Sequence, residues 1–322
     1  MFKRAITIAT ILTLALPTFT GCSAPSSDNG KLDVICTNYP IYDWTSEIIG
    51  YDTENVELSY LMNSGADLHN YQPTADDMIR ISDCDVLIYV GGESDKWVEN
   101  ALSNARNKDM VVIDLMDILG NNLREEELKE GMEAPEKEEE EENAIEYDEH
   151  IWLSLRNAKK CTEVIAEKLE NADKTNSDKY RENANNYCSS LEELDNEFKS
   201  MTENAQNKTL IFGDRFPFRY FIDDYGLDYY AAFIGCSSES EASFETITFL
   251  ANKCDELDAK YIFTIDGSDC TIADAIISAA KTKDIKTAVL YSMQSVSKAD
   301  VASSSYYNFM KENYNVLKEA LN

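Results

Sequence analysis

Eight short apolar runs, separated by stretches of helical period, constrain this chain more than any other feature. In the first half Leu32–Thr37, Val56–Leu61, Asp85–Val90 and Met110–Leu115 have the length and β-branched content of buried strands. Between them Pro40 can open a helix carrying Ile41, Trp44, Ile48 and Ile49, Thr74 can cap one through Ile81, and Trp97–Ala105 has helical spacing. A second unit repeats the rhythm, with strands at Leu210–Phe212, Asp228–Phe233, Lys260–Ile265 and Lys286–Leu290. Its helices are expected at Phe218–Tyr225, Phe244–Leu257, Ile272–Lys281 and Ala302–Leu321. Between the units, helical patterning starts at Asn157 and pauses near Ala172–Ser177. It then runs from Asp178 to about Asn204, with Tyr180, Ala184, Tyr187, Leu191, Leu194 and Phe198 on one stripe. Strands alternating with helices imply mostly parallel sheets covered on both faces. The expected class is α/β: two lobes joined by a long helix.

The N-terminus reads as a processing segment. Lys3 and Arg4 precede an apolar stretch, Ala5–Leu16, that is too short to span a bilayer, and Pro17 ends it. Phe19-Thr20-Gly21-Cys22 then resembles a bacterial lipobox, whose cysteine is lipidated and becomes the first mature residue; Phe19 stands where an aliphatic residue is usual. The expected organisation is a leader at 1–21, a polar tether at 22–30 and a first lobe at 31–155 containing an acidic loop at 123–149. A helical segment at 156–206 and a second lobe at 207–322 follow. No later apolar run reaches 18 residues, so membrane attachment is expected through the anchor only.

Charge narrows the partners. Lys plus Arg number 29 against 60 Asp plus Glu, a net charge of −31, which argues against nucleic acid because phosphate binding needs a basic face. A hydrophobic content of 43% is ample for a core, so the acidity does not signal disorder. Within the acidic loop Glu138–Glu142 form an unbroken run, expected to be solvated and at most to collect cations weakly. Of eight cysteines, lipidation of Cys22 leaves an odd number, so at least one thiol stays free. Cys36, Cys84 and Cys161 read as small core residues, and a bridge among Cys236, Cys254 and Cys270 is left open.

The chain has two histidines, His69 and His150, each in a polar, turn-rich segment. Such loops gather beyond the carboxyl ends of parallel strands, where ligands bind in open α/β sheets, and neutral imidazole is the commonest transition-metal ligand. Spacing alone favours two solvent-exposed or structurally satisfied side chains. The surrounding residues say more. Gly65-Ala-Asp-Leu-His69-Asn-Tyr-Gln-Pro-Thr74 and Asp148-Glu-His150-Ile-Trp-Leu-Ser154 closely resemble the two histidine motifs of the zinc/manganese ABC-transporter solute-binding proteins. Asn38-Tyr-Pro-Ile-Tyr42, Ser82-Asp-Cys-Asp-Val-Leu-Ile-Tyr89, Asp224-Tyr-Gly-Leu227 and Glu239-Ser-Glu-Ala-Ser243 extend the resemblance over roughly residues 32 to 322.

The resemblance implies two Rossmann-like lobes with mostly parallel sheets around a rigid linking helix. It also implies a lipid-anchored receptor on the outer side of a bacterial membrane, which binds a divalent metal in its cleft and hands it to an ABC permease. His69 and His150 match the first two ligands. The third departs: relatives place His or Glu at the end of the strand that opens the second lobe, and here the stretch is Leu210-Ile-Phe-Gly-Asp214-Arg215. Alignment from Asp224-Tyr-Gly-Leu227 puts Arg215 at that position, where a guanidinium cannot ligate a cation; alignment from the strand puts Asp214 there, and is preferred. Asp214 could equally pair with Arg215 or cap the next helix. Relatives often carry a fourth, acidic ligand where this chain has Tyr291-Ser-Met293, so either water fills the position or a substitute does, with Asp266 the best placed and a turn role before Gly267 as its competitor. Glu241 matches a family-like acid with an equally plain structural role. Two imidazoles favour Zn2+, whereas two added carboxylates would make the site harder and open it to Mn2+. The other readings are a surface adhesin and a metal-dependent hydrolase; against the latter, the chain has no His-Glu-x-x-His and the resemblance is to a non-enzymatic family.

Overall fold

The computed structural model describes residues 30–50, 54–133, 146–237 and 241–322. The leader, Cys22 and the Glu138–Glu142 run lie outside them. In chain order the first sheet region contains β1 (Leu32–Cys36), α1 (Tyr39–Ile49), β2 (Val56–Tyr60), α2 (Ala75–Asp83), β3 (Val86–Tyr89), α3 (Trp97–Ser103), β4 (Val111–Asp114) and α4 (Leu115–Leu119). Two long helices, α5 (Leu155–Ala172) and α6 (Ser177–Asn204), follow. The second sheet region contains β5 (Thr209–Phe216), α7 (Arg219–Tyr225), β6 (Asp228–Ile234), α8 (Phe244–Glu256), β7 (Tyr261–Ile265), α9 (Thr271–Ala279), β8 (Lys286–Leu290), α10 (Lys298–Val301) and α11 (Tyr306–Ala320).

Both sheets are parallel and share one topology, β2-β1-β3-β4 and β6-β5-β7-β8. The connections diverge between β1 and β3 and between β5 and β7, so each sheet opens a crevice at the carboxyl ends of those strands. Local chemistry fixes the helix starts. The Asn38 side chain accepts from Ile41 N with Pro40 in the first turn of α1, and Thr74 and Asp77 form a reciprocal capping box on α2. Ser154, Ser243 and Ser305 cap α5, α8 and α11.

Helix α6 ties the lobes together. Its 28 residues span roughly 42 Å at 1.5 Å per residue. Toward its start, Asn183 Nδ2 donates to Ile48 O at 3.0 Å and Tyr187 Oη contacts Asp43 Oδ2 at 3.5 Å, docking it on α1. Toward its end Phe198 packs on Phe221, Tyr225 and Tyr314 of the second lobe. One apolar cluster runs from the first sheet through α5 and α6 into the second, and a smaller one fills the space among β5, β6, α8 and α9. No helix among the described residues is long and apolar enough to cross a membrane.

Two details differ from the sequence reading, and a third answers what it left open. The expected helix at Ala302–Leu321 starts later, as α11 at Tyr306, because the Ser303 and Ser304 amides turn back onto Asp300 O after the short α10 and Ser305 starts a new cap. Strand β5 continues to Phe216 past a register shift between Phe212 and Arg215, at Gly213, where a Cβ would lie 2.6 Å from Ala273 Cα. The seven cysteines among the described residues are all free thiols, so Cys236, Cys254 and Cys270 are unbridged.

Candidate metal centre

His150 is fully buried at the start of a 3-10 turn, Ile151–Leu153. Its backbone N–H and its ring Nδ1 both meet Asp148 Oδ1, at 2.8 and 3.0 Å. When Asp148 is ionised, that oxygen accepts from the amide and from the ring alike. Facing that carboxylate, His150 carries its proton on Nδ1 and presents a lone pair at Nε2. Tyr220 of α7 fixes the segment by donating to Asp148 O at 2.8 Å, and Gly235 lets the ring approach, since a Cβ there would lie 2.9 Å from His150 Cε1.

His69 sits on a second 3-10 turn, Leu68–Asn70, beyond the end of β2. Asp67 caps that turn by accepting from His69 N at 3.0 Å, and its other oxygen pairs with Arg215 of β5 at 2.7 Å. His69 Nδ1 lies 2.9 Å from Ser94 Oγ, and the Ser94 amide donates to Glu149 Oε1 at 2.7 Å. Glycine is required at 92, where φ is +78° and a Cβ would lie 2.7 Å from Glu149 Cγ.

With both Nδ1 sides engaged, the two Nε2 atoms face each other at 3.2 Å. Gln294, in the loop after β8, brings its amide against both, with Nε2 3.0 Å from His69 Nε2 and in contact with His150 Nε2. Its Oε1 is buried and has no partner among the described residues. The third side chain is Cys236, in the turn after β6; the ligand atoms of His69, His150 and Cys236 all lie within 4.8 Å of one another. Its amide donates to Glu126 Oε1 at 3.3 Å.

Burial dominates the electrostatics. It pushes His150 down to about 4, helped by Arg215 and opposed by Glu126. It also holds His69 well below the usual imidazole range, aided by His150 and Arg215. Both rings are thus neutral at neutral pH, as a metal ligand must be. Burial raises Asp148 and Glu149 to about 7, against hydrogen bonds from His150 and Ser94 respectively. Burial also raises Asp67, but its hydrogen bond and charge pairing with Arg215 outweigh that and bring it below the usual carboxylate range.

The two aspartates expected as ligands are used elsewhere. Past the shift in β5, Asp214 accepts from Arg215 N at 2.8 Å and from Ile265 N of β7 at 3.2 Å, clamping the two strand ends together. Asp266 Oδ1 accepts from the Ser292 amide and hydroxyl at 2.5 and 2.7 Å, bracing the loop that carries Gln294. Neither belongs to the group around the imidazoles, and Glu241 is exposed. Arg215, the alternative at that position, ties the lobes through Asp67. Cys236, Gln294 and Asp148 went unselected in the sequence. The available signal was position: Cys236 and Gln294 follow the carboxyl ends of β6 and β8.

A family model described as "Zinc-uptake complex component A periplasmic" matches residues 34–320. The chain belongs to that family. Among the family's relatives, the zinc-binding lipoprotein AdcA of Streptococcus pneumoniae is 28% identical over 99% of this chain, which spans 61% of AdcA's own length. The high-affinity zinc uptake system protein ZnuA of Bacillus subtilis is 27% identical over 92% of this chain and 89% of its own. The crystal structure of the Zn(II)-bound ZnuA-like domain of S. pneumoniae AdcA superposes with a TM-score of 0.69 at 26% identity, over 90% of this chain and 99% of that one.

Proposed function

We propose that this chain captures Zn2+ on the Nε2 atoms of His69 and His150, between its two lobes, and delivers it to an ABC-type import permease. The observation that carries the reading is the pair of neutral imidazoles whose Nε2 atoms converge at 3.2 Å while Asp148 and Ser94 hold the Nδ1 sides. Two lone pairs aimed at one point are favourable only around a cation or a shared donor; the Gln294 amide is that donor here, and a metal ion would take its place between the same two nitrogens. The family description and the zinc named for its relatives support the same cargo. Manganese is the weaker alternative, because Asp214 and Asp266, the hard ligands it would want, brace strand ends and a loop.

On this reading the first lobe, 31–155, supplies both imidazoles and the second, 207–322, closes over them. The protein works on the outer side of the membrane, with Cys22 as its lipidated anchor, and capture and release call for no catalysed turnover. Titration of the full chain with Zn2+ against a chromophoric chelator tests the site. His69→Ala and His150→Ala should each weaken binding by on the order of 100-fold. Affinity unchanged in either variant would dismiss the two-imidazole site.

A further inference from the structure

Resting on the zinc-capture reading, we infer that Cys236 is the cleft-bridging ligand: its thiolate completes a two-histidine, one-cysteine centre whose fourth position faces the Gln294 amide. Three observations converge on it. Among the described residues, His69, His150 and Cys236, with no carboxylate, make up the group of potential ligands that lies within 4.8 Å. The imidazoles come from the first lobe, whereas Cys236 and Gln294 come from the loops after β6 and β8 of the second, so an ion held by all of them joins the lobes. Gln294 is almost wholly buried, its amide lies against both imidazoles, and its carbonyl oxygen has no partner among the described residues. Half a turn about its last bond exchanges the nitrogen for that oxygen, which is a metal ligand where the nitrogen is not.

The chemistry closes simply. Zn2+ enters, the Cys236 S–H gives its proton to solvent, and the sulfur pair forms the Zn–S bond with no change of oxidation state. Burial, with the negative charge of Glu126, Glu149 and Asp148, keeps the thiol protonated in the apo protein, and the same negative charge favours the arriving dication that displaces the proton. A thiolate in place of a carboxylate softens the site. It sets this chain toward zinc and away from manganese more firmly than two imidazoles alone could.

Co2+ reports sulfur directly, because a thiolate bound to it gives an intense near-ultraviolet charge-transfer band that nitrogen and oxygen ligands lack. The full chain should develop that band in proportion to added Co2+, saturating at one equivalent, and Zn2+ should abolish it. Cys236→Ser should lose the band and roughly 100-fold in zinc affinity, while its weak manganese affinity changes little. Cys254→Ser, at a buried thiol of the smaller core cluster, should keep the band. Stoichiometric Co2+ binding without the band in the parent chain overturns the thiolate assignment and leaves the imidazole pair standing; that measurement needs no variant to fold. Tight Co2+ binding that survives His150→Ala would instead overturn the capture reading itself.

Discussion

Asp148→Asn separates holding a metal from holding the fold. Asp148 is buried, and a single oxygen takes both the backbone and the ring proton of His150. When a dication binds Nε2, the positive charge it induces on the ring is shared with Nδ1–H, and the facing carboxylate is then worth most. Asparagine preserves the shape and one carbonyl acceptor but removes the charge. Partners of this kind behind a metal-bound histidine contribute roughly 10–100-fold in affinity, which is about 1.4–2.8 kcal/mol. Chelator competition at neutral pH should show a loss in that range. The apo protein should move the other way with pH. Asp148 is raised to about 7 by burial, so the folded state holds its proton more tightly than the unfolded chain. Its contribution to stability is therefore present at low pH and is lost as pH rises from about 4 to about 7. Asparagine has no such loss, so apo Asp148→Asn should lose less stability than the parent between pH 5 and pH 8. Parent-like zinc affinity in this variant would refute the account of how the His150 tautomer is set.

Arg215→Met should leave the Asp67 carboxylate without its partner at a site where both side chains are only 17% exposed, at a cost of about 3 kcal/mol. Asp67→Asn in the same chain should recover part of that, and strictly additive effects in the double-mutant cycle would show that the ion pair does not couple the lobes. Asp95, whose carboxyl accepts from the Val90 and Gly91 amides, is raised to about 7 chiefly by burial, so ionising it costs stability as pH climbs from about 4 to 7. Asp95→Asn should therefore reduce the drop in denaturant-measured stability between pH 5 and pH 8 by about 2–3 kcal/mol; an undiminished slope would count against a protonated Asp95 in the fold.

Much of the architecture was legible because parallel sheets buried on both faces write themselves as continuous apolar runs. Lys286–Leu290 matches its expected bounds, and most other strand ends lie within a residue or two. The stripe from Tyr180 to Phe198 marked the linking helix, since all six of those side chains are buried. What sequence could not give was the break before α11. Ser303-Ser304-Ser305 contains no glycine or proline, and α11 starts at Tyr306 rather than Ala302 only because two amides fold back to Asp300 O and Ser305 caps the helix. Serine is tolerated inside helices and favoured at their starts, so the same residues permit either outcome.

The site divides along the same line. His69 and His150 stood out because they are the chain's only histidines and sit in loops of distinctive composition. Asp214 was chosen on the premise that the residue after a strand points where the strand ends. That premise fails because β5 does not end at Phe212. Gly213 lets the chain pass against α9, the pairing with β6 resumes at Arg215, and Asp214 turns toward the Ile265 amide of β7 while the Arg215 guanidinium reaches across to Asp67. One irregular residue in one strand thus moves the carboxylate out of the metal group and puts a cation at the lobe boundary. The ligand from the second lobe then has to come from another strand end, and the turn after β6 supplies it. There Gly235 leaves room for the His150 ring, and the next residue, Cys236, places its thiol beside both imidazoles. A residue-by-residue reading of β5 cannot reveal this, because the choice between Asp214 and Cys236 is made by the pairing of two strands rather than by the side chains themselves.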